Sequence, residues 1–142
     1  MSQSPIKHIL VPVDLSTCSR AALEFARRLA EPLGAAIEVL YVLPPSDEAS
    51  ANELEVSAAR EELHRFVHSV TGTSSITERV EVGEPRERIV ALSDHTPFDA
   101  IVMGTQGRTG RPRSLAGSVT ESVVRTASRP VMTIREQHAQ HA

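Results

Sequence analysis

The sequence predicts an α/β fold: one domain with a five-stranded parallel sheet and helices on both faces. Three observations carry this expectation. At 142 residues the chain suits a single domain that buries roughly two thirds of its unfolded surface, enough for a core without metal or disulfide staples. Short apolar runs, mostly continuous instead of alternating, read as strands covered on both faces. The segments between them have helix length and helical periodicity, so successive strands run parallel through right-handed crossovers.

Taken in order, "IKHILVPVDLS" supplies Ile9, Leu10, Val11 and Val13 as the first strand. Ser16 or Thr17 then caps a helix through about Leu33, with Ala22, Phe25, Ala26 and Leu29 on its apolar face, Pro32 expected to distort the last turn, and Gly34 as the stop. "AIEVLYVL" is the second strand, and "PPSDEASAN" reads as a polar connection without structure of its own. From about Asn52 to Val70, Leu63, Phe66, Val67 and Val70 form the apolar stripe of a second helix whose wet side carries Glu55, Arg60, Glu61, Glu62 and Arg65. "ITERVEV" alternates as a strand, "EPRERIVALSDH" is a short helix begun by Pro85, and "DAIVMG" is another buried strand. A last helix carries Val119, Val123 and Val124, a final strand is "PVMTI", and "EQHAQHA" reads as a loose tail, leaving about 5–136 ordered within a single domain spanning 1–142.

Composition narrows the function classes. The single cysteine, Cys18, excludes an internal disulfide framework, and "MSQSPIKHILV" lacks the basic segment and long apolar run of a signal peptide, so a cytoplasmic protein is expected. No window has the apolar length of a membrane span, and a formal net charge of -3 gives no general attraction to nucleic acid or anionic lipid. Three Phe, one Tyr and no Trp offer little for base stacking, so nucleic acid is not expected as a partner.

The chemistry concentrates in "IVMGTQGRTGRPRSLAGSVTESVV", residues 101–124, where Gly104, Gly107, Gly110 and Gly117 are four of the chain's seven glycines. Glycines ahead of a helix permit positive φ and close ligand approach, and can turn several N–H groups toward one anion. Gly117 and Ser118 stand where the next helix begins, so its unpaired N–H groups and positive dipole end add to such a site, with the Ser118 hydroxyl as a further donor. In open α/β sheets ligands sit beyond the carboxyl ends of strands where the strand order reverses, and both Asp14 and the glycine stretch fall just past strand ends. Two common phosphate motifs are missing. No G-x-x-x-x-G-K-[ST] occurs, the one lysine being Lys7, and the first strand-to-helix turn, "PVDLSTCSR", contains no glycine.

The spacing Gly104-x2-Gly107-x9-Gly117-Ser118 resembles the nucleotide-binding pattern of the universal stress protein family. The similarity extends through "ILVPVDLS", "VEVGEPRERIVALS", "DAIVMGTQGRTG" and "GSVTESVVRTASRPVMTIR", nearly the whole chain. It implies a Rossmann-like, adenine nucleotide alpha hydrolase-like sheet in the order 3-2-1-4-5, with strands one and four meeting at the switch point. It also implies ATP as ligand, with Mg or Mn bound through its phosphates. Position by position, Pro12, Val13 and Asp14 fall at the end of strand one, with the Asp14 carboxylate placed for the ribose hydroxyls. Val42 falls where the backbone meets adenine, and Met103 and Gly104 border base and sugar. Gly107, Gly117, Ser118 and Val119 would hold the phosphates. Outside the resemblance, Arg108, Arg111 and Arg113 read either as solvated arginines of an exposed loop, the commoner case, or as aids to charge neutralisation. The family has a branch that lacks these glycines and does not bind ATP; this sequence resembles the branch that does. Ser114, Ala116 and the pair Arg111-Pro112 depart from the usual apolar pattern and bear on loop packing more than on phosphate contact.

Other constellations are weaker. His64 and His68 are four residues apart on a helix, but no third ligand is evident, so no metal is assigned. Cys18 lacks a partner and reads as a small buried residue. Asp14 is similar to the phosphoacceptor of response regulators, yet the further acidic pair and late lysine of that family are absent. A cradle is present without an assignable base, so a binding module is favoured over an enzyme; the alternatives are a slow ATPase switch and a dimeric interaction protein with an empty crevice. The uncharged edge segment Pro130 to Ile134 invites antiparallel pairing into a homodimer, which is also how the family commonly dimerises.

Overall fold

The structure, a computed structural model, describes residues 6–45, 49–70, 75–105 and 117–135, the side chains of 49–52 excepted. Five strands, β1 (His8–Val13), β2 (Ala36–Leu43), β3 (Ile76–Val82), β4 (Ala100–Gly104) and β5 (Val131–Ile134), alternate with four helices, α1 (Thr17–Leu33), α2 (Ala49–His68), α3 (Pro85–His95) and α4 (Ser118–Thr126). All pairings are parallel and the order is β3-β2-β1-β4-β5. The single-domain, Rossmann-like architecture expected from the sequence is the one found. β1 is central, and the chain leaves it for β2 on one side and resumes with β4 on the other. Between the carboxyl ends of β1 and β4 lies the switch point.

Each face of the sheet has its own core. Ile9, Val11 and Val13 of β1 pack with Ile37, Val39 and Tyr41 of β2 beneath α1 and α2, which contribute Ala22, Leu23, Ala26, Ala30, Ala59, Leu63 and Val67. Leu10, Leu40, Ile101 and Met103 point the other way and meet Ile89 of α3 and Val123 of α4. Successive strand residues point to opposite faces, so the continuous apolar run of β1 fills both cores. The fully buried positions of α1 nearest the sheet are mostly alanines, which let the helix axis lie close to the strands.

Local signals set the boundaries. The Ser16 hydroxyl, and not Thr17, caps α1, accepting from the Ser19 N–H at 3.1 Å. Pro32 removes an N–H from the last turn, and the helix stops at Gly34, whose φ of 65° is the left-handed conformation favoured at that position. α2 starts at Ala49, three residues before the expected Asn52 and inside the segment read as an unstructured connection. Ala49 and Ala51 are strong helix formers, which lets the helix begin inside that segment. The helix ends at His68, while Val70, past its end, is still buried in the core.

β2 carries one residue that an apolar reading passes over. Glu38 is only 7% exposed in the middle of the sheet, where the Arg79 guanidinium of β3 donates to it and His8 lies 3.9 Å away. The hydrogen bond to Glu38 raises the pKa of Arg79 above its ordinary value although desolvation opposes this, and the Glu81 carboxylate adds to the rise. The buried carboxylate is thereby matched. Asp99 makes a comparable tie, accepting from the N–H groups of Lys7 at 2.8 Å and His8 at 3.0 Å at the start of the β1–β4 pair. No helix among the described residues is long and apolar enough to cross a membrane.

Candidate functional site

β1 ends at Val13, and the turn that follows is tight. Leu15 takes a φ of 67°, a left-handed conformation that costs a non-glycine residue free energy and persists only where its surroundings hold it. In that turn the Asp14 carboxylate accepts from the Ser16 N–H at 3.1 Å, so the acid is fixed at the strand end while Ser16 goes on to cap α1.

β4 ends beside it at Gly104. A Cβ built there would lie 2.8 Å from the Cys18 carbonyl oxygen and 2.9 Å from its Sγ. Gly104 is therefore required because the first turn of α1 crosses directly over the strand, a packing reason in addition to any close approach of a ligand. Next to it, the Thr120 hydroxyl donates to the Gly104 carbonyl at 2.8 Å, and the Gly117 N–H donates to the Thr105 carbonyl. Thr105, at the end of β4, and Gly117, at the start of α4, are thereby joined. Cys18 is buried here, near the Thr105 hydroxyl and the Ile134 carbonyl, at 3.8 and 3.5 Å.

Gly117 is the N-cap of α4, with φ -70° and ψ 167° and no side-chain cap. That backbone is ordinary extended chain, open to any residue, so the positive φ that a glycine here suggests does not occur. The first helical hydrogen bond runs from the Glu121 N–H to the Gly117 carbonyl, which leaves the N–H groups of the preceding turn without helical partners. They form the positive end of the helix dipole.

These ends enclose a cavity of about 250 Å³. Pro12, Val13 and Asp14 come from β1 and its turn, Val42 from β2, Met103 and Gly104 from β4, and Gly117, Ser118 and Val119 from α4. Nine of the eleven residues singled out from the sequence thus line one space. Gly107 and Arg108 lie outside the described residues, as do Arg111, Arg113 and the C-terminal segment read as a tail. The lining also includes Ser19, Leu40, Pro85, Ile89 and Thr120, which sequence reasoning missed. Leu40 was within reach, because it shares a strand face with Val42 two residues on. Ile89 was not, since nothing in α3 alone says which part of the sheet it covers.

Chemically the cavity is two-sided. Leu40, Val42, Pro85, Ile89 and Met103 make an apolar wall suited to a flat ring, while the start of α4 presents N–H groups suited to an anion. Asp14 stands between, the one ionisable side chain among the described lining residues. His64, His68 and Glu78, which could together hold a metal ion, are on α2 and β3 and do not line it.

Comparison with known proteins agrees with the fold. The Universal stress protein family matches residues 5–135. Universal stress protein MJ0531 of Methanocaldococcus jannaschii is 32% identical over 141 residues, covering 92% of this chain and 82% of that protein. Among solved structures, the universal stress protein UspA from Lactobacillus plantarum superposes with a TM-score of 0.80 at 26% identity, over 94% of this chain and all of that one. A universal stress protein in complex with cAMP gives 0.72 at 25% identity, over 92% and 98% of the two chains. The universal stress protein from Archaeoglobus fulgidus in complex with dAMP gives 0.62 at 27%, over 92% and 99%. With its five-stranded order, its crevice between β1 and β4 and a family match along nearly its full length, the chain belongs to the universal stress protein family.

Proposed function

We propose that this cavity binds ATP and that the protein is a nucleotide-dependent regulatory module of the stress response. The observation that carries the reading is the convergence of Asp14, the β4 end and the start of α4 on one space with an apolar wall. Relatives of the same fold in complex with cAMP and dAMP support an adenine nucleotide as the ligand class. The apolar wall, with the Val42 backbone, takes the adenine. Asp14 accepts from the ribose hydroxyls, next to Met103 and Gly104. Gly117, Ser118 and Val119, together with Gly107 and Arg108, take the phosphates. A Mg or Mn ion rides on the phosphates, since Asp14 is the one carboxylate among the described lining residues.

The same reading places the protein in the cytoplasm as a homodimer joined through β5. β5 lies at one edge of the sheet, and Met132 is 39% exposed there. Nucleotide released on denaturing protein purified from its native host tests the binding reading. ATP is the expected content; protein that carries none and takes up none when ATP is supplied would be the interaction module with an empty crevice. Phosphate release compared between the unmutated chain and Gly117→Val separates a slow ATPase from a binder, the binder giving no difference.

A further inference from the structure

We propose that His64, His68 and Glu78 form a binding site for a divalent cation of the zinc class, on the opposite edge of the sheet from β5. The two histidines are four residues apart on α2, a spacing that puts both rings on one face of the helix, and their centroids lie 4.0 Å apart. The sequence spacing shows no third ligand. β3 supplies it: both carboxylate oxygens of Glu78 lie 3.2 Å from His64 Nδ1, across a separation of 14 residues that no helical periodicity can show. One ligand atom from each of the three residues falls within 4.8 Å of the others. Zinc bonded tetrahedrally at about 2.0–2.1 Å holds its donors about 3.3 Å apart, so His64 and Glu78 already stand at coordinating separation and His68, on an exposed helical face, needs only a rotamer adjustment.

The donor chemistry fits. Two imidazole nitrogens and one carboxylate oxygen suit zinc and exclude a strong preference for magnesium or calcium, which take oxygen ligands. With three protein donors the fourth position is left to water. "HRFVH" has no glutamate beside its first histidine, so the site binds an ion without the general base of a zinc hydrolase. A bound ion would clip the last turn of α2 to the edge strand β3, adding stability to the folded state in proportion to its occupancy.

The test is a calorimetric titration of the full chain, first stripped with chelator, with Zn²⁺. One ion per chain at micromolar affinity is expected, with His68→Gln and Glu78→Gln each weakening it by about tenfold or more because each removes a ligand. Co²⁺ in place of zinc should give the visible absorption of a four-coordinate site, lost in the double variant. His138→Gln with His141→Gln should leave binding unchanged. Absence of saturable binding would reduce the cluster to a His64–Glu78 hydrogen bond and overturn the proposal. So would a loss of binding that follows the C-terminal histidines instead of His68 and Glu78.

Discussion

Gly104 and Gly117 look alike in the sequence and differ in what they do. At Gly104 a methyl group would meet the Cys18 carbonyl oxygen at 2.8 Å, backbone that cannot step aside, so Gly104→Ala should destabilise the fold by about 1–3 kcal/mol in a denaturant titration. Gly117 has an extended backbone that valine also adopts, so Gly117→Val should keep the fold and lose only what the cavity binds. An unfolded Gly117→Val protein would show that this distinction is wrong. The sequence could not separate the two glycines, because the difference lies in α1 crossing over β4. Asp14 is held by the Ser16 N–H at the strand end, and Asp14→Ala should weaken ATP by about 1–3 kcal/mol, the usual worth of charge-assisted hydrogen bonds. Equal loss of affinity for inorganic triphosphate would argue against its ribose role.

At the scale of elements, α3 shows a signal that was half legible. Pro85 is the first helical residue, as its sequence predicts, and the cap before it is the Glu84 carboxylate, which accepts from the Glu87 N–H at 3.2 Å. Desolvation pushes the Glu84 carboxyl upward, yet the Glu87 N–H and the Arg86 guanidinium together hold it below its usual value. A carboxyl lowered on folding stabilises the native state above the unfolded pKa and loses that contribution as the pH falls through the folded one. The difference in Tm between the unmutated chain and Glu84→Gln should therefore be largest at neutral pH and shrink below about pH 4.5. A difference that stays constant down to pH 3 would remove the charged cap from the explanation. The hydrogen bonds of β5 decide which of its N–H groups face outward. The Ile101 N–H bonds the Pro130 carbonyl and the Thr105 N–H bonds the Ile134 carbonyl, so in a parallel ladder the even-numbered residues of β5 face β4 and Thr133 turns its N–H outward. Thr133→Pro should convert dimer to monomer with little loss of fold, whereas Met132→Pro should damage the sheet itself. Light scattering that finds the unmutated protein monomeric at micromolar concentration would end the proposed pairing.

For the molecule as a whole, continuous apolar runs separated by amphipathic segments are enough to predict a parallel sheet with two covered faces, because burial on both faces leaves its mark on the interior strands. The order β3-β2-β1-β4-β5 came from motif resemblance, since periodicity is silent about which strand lies beside which. The same limit explains the site. Asp14, Gly104 and Gly117 were visible as strand-end and helix-start residues, while Ile89 and Thr120 entered only through packing, and Glu78 joined His64 only through the register of β3 beside α2. What the fold does with these residues is tested most directly by calorimetric titration of nucleotide-free full chain with ATP, alongside folded Gly117→Val protein. Saturable binding of one ATP per chain, absent in the variant, is the expected result; no binding by the unmutated chain, or equal affinity in the folded variant, would contradict it.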